Sequence, residues 1–145
     1  MLLNIFYFIG ILVSLTLFFN LINFKRFEKI SEWLISFKKI TGENPTKLDY
    51  RGDDYGFLLK RNIYAIFEAV WSLLGLLSNT WFVFLGVLIY TKLFGIAIKD
   101  IRFTSLGKIM FFKLILGKFL IYSFLVLNHF HLHINLWEQI LKIFN

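Results

Sequence analysis

A single carboxylate, Glu68, lies within an otherwise uncharged and largely apolar stretch of sequence that covers residues 63–82. An ionised carboxylate is costly inside a lipid bilayer, so in a membrane Glu68 is expected to be protonated or paired with a cation. Such residues move protons or ions in some membrane proteins, and in others polar groups hold helices together. A further possibility is that Glu68 lies at the membrane–water interface, exposed to water. We expect a paired Glu68 that fastens a helix bundle.

Helical spacing places further polar and small residues on the same side of a helix as Glu68. Ser72, Gly75 and Asn79 follow it at intervals of 4, 3 and 4 residues. Residues at such intervals share one helix face. Small and polar residues let membrane helices approach closely and hydrogen-bond with one another. We call these four residues the polar stripe, and we predict that it faces protein rather than lipid.

The first apolar stretch, residues 2–24, offers a face that could meet the polar stripe. Three polar residues recur there at intervals of 4 and 3: Thr16, Asn20 and Asn23. The same reasoning about helix faces predicts that they point towards the other helices.

The last apolar stretch, residues 109–128, contains two lysines that are candidate partners of Glu68. Judged by distance from the start of each stretch, Lys113 matches the depth of Glu68. Lys118 instead lies on the more polar helix face, together with Tyr122 four residues later. The sequence leaves both lysines as candidates.

Three histidines, at positions 129, 131 and 133, form the other group with possible chemistry. His129 and His133 have the i, i+4 spacing that suits a metal ion bound to one helix face. The sequence has no HExxH motif, however, and the only nearby acid is Glu138. We therefore interpret the histidines as residues of a membrane boundary, and we predict no metal and no cofactor.

Signatures of enzymes are missing from the sequence. It has no G-x-S-x-G, P-loop or G-x-G-x-x-G motif, and it has no cysteine for a thiol nucleophile, a disulfide or a thiolate metal site. Asp49, Asp53 and Asp54 cluster in a turn-rich segment but lack the alternating ligand pattern of an EF-hand, so they are predicted to serve turns and helix starts. The sequence thus favours a non-enzyme.

Composition indicates that the chain is an integral membrane protein. Its 145 residues are 58% hydrophobic and only 17% charged, whereas soluble domains carry about 25% charged residues. One small core cannot bury that much apolar surface. We therefore predict an all-α membrane fold that forms a single domain over 1–145. The formal net charge of +7 is interpreted as membrane topology and attraction to anionic lipid headgroups, with no nucleic acid as partner.

Four transmembrane helices are predicted, at about 2–24, 62–78, 80–98 and 109–128. A cleaved signal peptide is disfavoured for the first, because its nearest positive charges, Lys25 and Arg26, follow it. A single helix over 69–91 could replace the middle pair, but it would place the cluster of lysines and arginines after residue 92 on the outer side. Two helices joined by a turn near Asn79 keep these charges inside, with both termini outside.

The segment 25–61 is predicted to lie on the cytoplasmic side and to begin with an amphipathic helix. Its apolar face carries five residues: Phe27, Ile30, Trp33, Leu34 and Phe37. Such a face suits a membrane surface, and it equally suits packing on the chain's own bundle. The tail, 129–145, is predicted on the outer side, either extending the last helix or lying along the membrane.

These features predict a non-catalytic subunit or scaffold of a larger membrane complex. Its partners would be other membrane protein subunits or further copies of itself. It would reside in a bacterial cytoplasmic membrane or an organelle inner membrane. The alternative is a small oligomeric ion channel, pore-former or transport protein with Glu68 in the pathway.

Overall fold

The computed structural model describes residues 1–97 and 105–144, and every regular element within them is helical. The prediction of an all-α chain is confirmed. In chain order, the elements are α1 (Leu2–Ile22), α2 (Phe24–Thr41), a short 3-10 turn (Lys47–Asp49), α3 (Asp54–Gly75), α4 (Trp81–Ala97), α5 (Ser105–Leu127), a π-helical turn (Asn128–Leu132) and α6 (Leu136–Phe144).

Local signals explain where α2 begins and ends. Asn23 separates it from α1, and the Asn23 side chain donates a hydrogen bond to the Phe19 carbonyl at 2.9 Å. Gly42 ends α2 in the left-handed conformation, with φ of 74°, which glycine adopts without a steric penalty. Thr46 and Asp49 then form a capping box. Hydrogen bonds from Thr46 hold the pKa of the Asp49 carboxyl below its usual range, so this cap persists at neutral pH and weakens on acidification.

The first helix runs antiparallel to both α3 and α5. Along the α1–α5 interface, Phe18 stacks on Phe119 with ring centroids 5.7 Å apart. Nearer the start of α1, the Tyr7 ring lies 4.1 Å from that of His129. Residues that come early in α1 therefore meet residues just beyond the end of α5. The same order relates α1 to α3, since Phe6 stacks on Trp71.

The third and fourth helices are separate and joined by a short turn. α3 ends at Gly75 and α4 begins at Trp81, while the Ser78 hydroxyl closes the turn by donating to the Gly75 carbonyl at 2.7 Å. Phe84 of α4 then packs against Gly75 and, at a centroid distance of 5.0 Å, against Trp71. The structure therefore has two helices here rather than one helix over 69–91.

The observed helices differ in length from the predicted spans. α3 begins at Asp54, eight residues before the predicted start, because the chain enters it directly from the turn at Gly52 and buries Phe57 at once. α1, α4 and α5 match their predictions to within a few residues. Residue 98, the predicted end of the third span, lies outside the described residues.

Among the described residues, two helical segments are long and apolar enough to cross a membrane: Leu2–Ile22 and Leu106–Leu132. The apolar part of α4, Trp81–Ile96, is shorter. α3 has 22 residues, but it carries Lys60, Arg61 and Glu68 along its length. Length and composition therefore single out α1 and α5.

The bundle has a largely apolar core that holds several polar groups, and it also exposes large apolar side chains on its surface. Its core includes the hydroxyl-bearing side chains of Tyr7, Ser72 and Tyr122, each almost completely buried. Its surface exposes long apolar side chains on every main helix: Leu12, Phe18, Ile35, Ile66, Leu73, Leu93, Leu120 and Ile143. Extended apolar surface of this kind marks contact with lipid or with another protein.

Candidate functional site

Glu68 forms an ion pair with Lys118 between α3 and α5. The Lys118 ammonium donates a hydrogen bond to a Glu68 carboxylate oxygen at 2.8 Å, and the two side chains are only 17% and 12% exposed. Lys113, the other candidate cation, is exposed on the same helix. The structure thus brings together Glu68 and Lys118, and the pair presents no net charge to its surroundings.

One turn further along both helices, a second polar pair repeats this register. The Ser72 and Tyr122 hydroxyls are 2.7 Å apart, and both residues are almost completely buried. Because α3 and α5 run parallel, equal four-residue steps on the two helices keep their faces matched. The Glu68–Lys118 and Ser72–Tyr122 pairs therefore form one polar line along the α3–α5 interface.

The rest of the polar stripe faces other elements. Gly75 lies beneath the Phe84 ring of α4, in a space that a methyl group would overfill. Asn79, beyond the end of α3, accepts a hydrogen bond from the Tyr7 hydroxyl at 3.0 Å. That hydroxyl also lies 2.6 Å from the Thr80 hydroxyl. The stripe as a whole thus joins α3 to α5, α4 and α1 in turn.

The predicted polar face of α1 does not meet this stripe. Thr16 donates to the Val13 carbonyl at 2.7 Å and Asn23 to the Phe19 carbonyl, so both bond to their own helix. The buried side-chain oxygen of Asn20 has no hydrogen-bond partner among the described residues. Serine, threonine and asparagine side chains readily bond to nearby backbone carbonyls. In Thr16 and Asn23 such a bond takes the place of a hydrogen bond to another helix.

Sequence reasoning missed Tyr7, which supplies the α1 side of the polar network. The sequence did indicate that Tyr7 lies on a buried helix face. It begins a set of residues at intervals of 3, 4 and 3, whose other members are Gly10, Ser14 and Leu17. All four are buried. A search limited to amides and charges overlooks a tyrosine on such a face.

The histidines do not gather into a metal site. His129 lies 2.8 Å from the Asn4 side-chain oxygen and stacks on Tyr7, which ties the end of α5 to the start of α1. His133 ends the π-helical turn in the left-handed conformation, with φ of 51°, and it is exposed, as is His131. Within the described residues, no three His, Asp or Glu side chains come close enough to hold a metal ion.

The apolar face of α2 contacts the protein itself. Ile30 is only 4% exposed, and Trp33 packs against Phe37 and Tyr50. The Arg61 guanidinium lies 3.4 Å above the Phe27 ring. Leu34, the fifth residue of this face, is half-buried. The same helix leaves two isoleucines exposed: Ile35 and Ile40. The structure therefore places the predicted membrane-surface residues on the bundle, while a smaller apolar edge stays uncovered.

A further ionic cluster lies where α2 meets α5. Lys108 donates hydrogen bonds to Glu28, at 2.9 Å, and to Glu32. Nearby, Arg26 pairs with Asp54 of α3 at 2.9 Å. Glu28 and Glu32 lie on the side of α2 opposite its apolar face. Their i, i+4 spacing puts the two carboxylates next to each other on the helix surface, where one cation can contact both.

A comparison with protein-family models finds no match, and comparisons with curated proteins and with solved structures find no significant similarity. The polar line, the ionic cluster and the apolar exterior are therefore the features that bear on function.

Proposed function

We propose that the chain is a multi-pass integral membrane protein that serves as a non-catalytic subunit or scaffold of a larger membrane complex. The observation that carries this proposal is an apolar exterior combined with paired polar side chains inside the bundle. Polar groups at Glu68, Ser72, Lys118 and Tyr122 pair with one another inside, while aliphatic and aromatic side chains cover the outside. Lipid cannot satisfy polar groups, so a membrane bundle must pair them internally.

In this proposal α1, α3, α4 and α5 all cross the bilayer. Residues 62–75 of α3, beyond the cytoplasmic segment, cover about 21 Å at 1.5 Å per residue, so the turn that follows and local thinning of the bilayer would have to supply the rest of a hydrocarbon core of about 30 Å. The neutral pair with Lys118 is what makes Glu68 tolerable at that depth. α4 has 17 described residues, which lie within the range for a span.

The distribution of basic residues supports one orientation. Segment 25–61 and Lys108 share one end of the bundle, which is rich in lysine and arginine. The opposite end carries the turn at Asn79 and the π-helical turn, with no lysine or arginine in either. The rule that positive charges face the cytoplasm then places both chain termini outside. A bacterial cytoplasmic membrane or an organelle inner membrane fits this arrangement.

A scaffold role is favoured over an ion pathway because of how Glu68 is used. Its carboxylate is paired and packed between two helices, and such a group fastens helices rather than offering a free site for a passing ion. An oligomeric channel with Glu68 in its path is the second candidate. It requires the Glu68–Lys118 pair to open, and it predicts that the purified chain makes liposomes leaky.

Isolation of the tagged chain from its native membrane in a mild detergent tests the scaffold role. We expect it to elute well above its own 17.3 kDa, together with other polypeptides in fixed proportion. A tagged membrane protein of unrelated sequence, expressed at the same level, controls for adventitious association. Elution of the chain by itself, as a monomer with full membrane insertion, would contradict a role as a subunit.

A further inference from the structure

The amphipathic helix α2, together with α3 and α5, borders a half-open cavity of about 410 Å³ at the basic end of the bundle. This volume lies within the range of small-molecule pockets. Three aromatic rings, those of Phe24, Phe27 and Phe111, form much of its apolar lining. Glu28 and Lys108 also line it. The cavity therefore combines an apolar interior with ionised groups.

Both signs of charge border this cavity. Lys108 lies between two carboxylates, those of Glu28 and Glu32, so this cluster has one more negative charge than positive. Arg61, which also lines the cavity, adds a positive charge above the Phe27 ring. The side chains of Glu28 and Glu32 are 31% and 54% exposed, and one oxygen of each carboxylate contacts Lys108. The charges of the cavity complement a zwitterion.

A second cleft of about 380 Å³ adjoins the first, because Phe24, Glu28 and Lys108 line both. Its other lining residues are Ile109 and Phe112, and Ile109 is exposed on the outside of α5. The Glu28–Lys108 pair thus lies between two apolar clefts, one of which opens to the side of the bundle where lipid would lie. A two-chain amphiphile matches this arrangement.

We propose that the two clefts bind one phospholipid that carries a primary ammonium and a phosphate, as phosphatidylethanolamine does. Its ammonium donates hydrogen bonds to Glu28 and Glu32, and its phosphate accepts them from Lys108 and Arg61. Its acyl chains lie against the phenylalanines of the clefts. This inference rests on the proposed membrane location, and it names a lipid partner for the end of the bundle that faces the cytoplasm.

Lipid titration of the purified full chain in detergent, monitored by native mass spectrometry, tests the site. The probes are phosphatidylethanolamine, phosphatidylcholine and phosphatidylglycerol with identical acyl chains. We expect phosphatidylethanolamine to bind about tenfold more tightly than phosphatidylcholine, because a trimethylammonium cannot donate hydrogen bonds to the carboxylates. Phosphatidylglycerol lacks the ammonium and is expected to bind less tightly as well. Equal binding of all three lipids, or a preference for phosphatidylglycerol, would overturn the proposal.

Two variants distinguish lipid binding at this site from non-specific lipid binding. E28Q/E32Q is expected to abolish the preference for phosphatidylethanolamine, whereas E43Q, which changes an exposed carboxylate outside both clefts, should retain it. Helical circular dichroism checks that each variant is folded. If E28Q/E32Q is folded and keeps the preference, the site is wrong. Recovery of the wild-type chain in the membrane fraction tests the membrane location independently, so failure of the lipid site alone leaves that location standing.

Discussion

Lys118→Met is expected to destabilise the folded bundle by about 3 kcal/mol. The substitution keeps most of the length of the side chain but leaves the Glu68 carboxylate, which is 12% exposed, without its cation between α3 and α5. Removing one partner of a buried pair typically costs that much, because the remaining charge is desolvated and uncompensated. Reversible unfolding of the purified chain in mixed micelles, followed by circular dichroism, measures the free energy of unfolding.

Lys113→Met provides a matched control on the same helix. Lys113 is exposed, so the same change there should alter the free energy of unfolding by no more than about 0.5 kcal/mol. Adding Glu68→Gln to Lys118→Met should restore much of the lost stability, because the pair is then removed as a unit. If Lys118→Met and Lys113→Met cost the same, the pair does not fasten the bundle.

Gly75→Ala is expected to destabilise the chain by about 2 kcal/mol. An alanine methyl would overlap the ring of Phe84, and Phe84 cannot withdraw because it is fully buried among the rings of Phe6, Trp71 and Tyr122. Overpacking of this kind costs about 1–3 kcal/mol. Micelle unfolding again supplies the measurement.

Gly86→Ala, in contrast, is expected to raise the free energy of unfolding. No atom outside the local helix lies within 4 Å of the position that its methyl would occupy. Alanine stabilises a helix interior by about 0.5–1 kcal/mol relative to glycine. If Gly86→Ala stabilises the chain while Gly75→Ala destabilises it, the close contact between α3 and α4 lies at Gly75. Equal effects of the two variants would contradict that packing.

Helical spacing placed Glu68 with Ser72, and Lys118 with Tyr122, on common helix faces, but it left Lys113 as an alternative to Lys118. Glu68 and Ser72 on one side, and Lys118 and Tyr122 on the other, are each four residues apart. Two parallel helices preserve that interval, so the pairs meet in register. The choice between Lys113 and Lys118 could not be made from depth, because α3 begins at Asp54 rather than near residue 62. Because the predicted start of α3 was wrong, the predicted depth of Glu68 along that helix was wrong as well.

Helical spacing did not predict contacts between helices where a polar side chain could instead bond to its own helix. Thr16 and Asn23 had the period expected of residues between helices, yet each bonds to a carbonyl of its own helix. No sequence pattern distinguishes that choice from a contact across an interface, since both satisfy the same polar atom. The ion pairs of Glu28 and Glu32 with Lys108 were not predicted, because they form only once α2 packs against α5.

Cysteine labelling from each side of the membrane tests the multi-pass arrangement most directly, because the native chain has no cysteine to interfere. Asn79 and Lys39 are both exposed, at opposite ends of the bundle. Asn79→Cys is expected to react with a membrane-impermeant maleimide added outside intact cells or organelles. Lys39→Cys is expected to react only after the membrane is permeabilised. Labelling of both cysteines from the same side, or recovery of the chain in the soluble fraction, would contradict a bundle whose third helix crosses the bilayer with Glu68 paired inside.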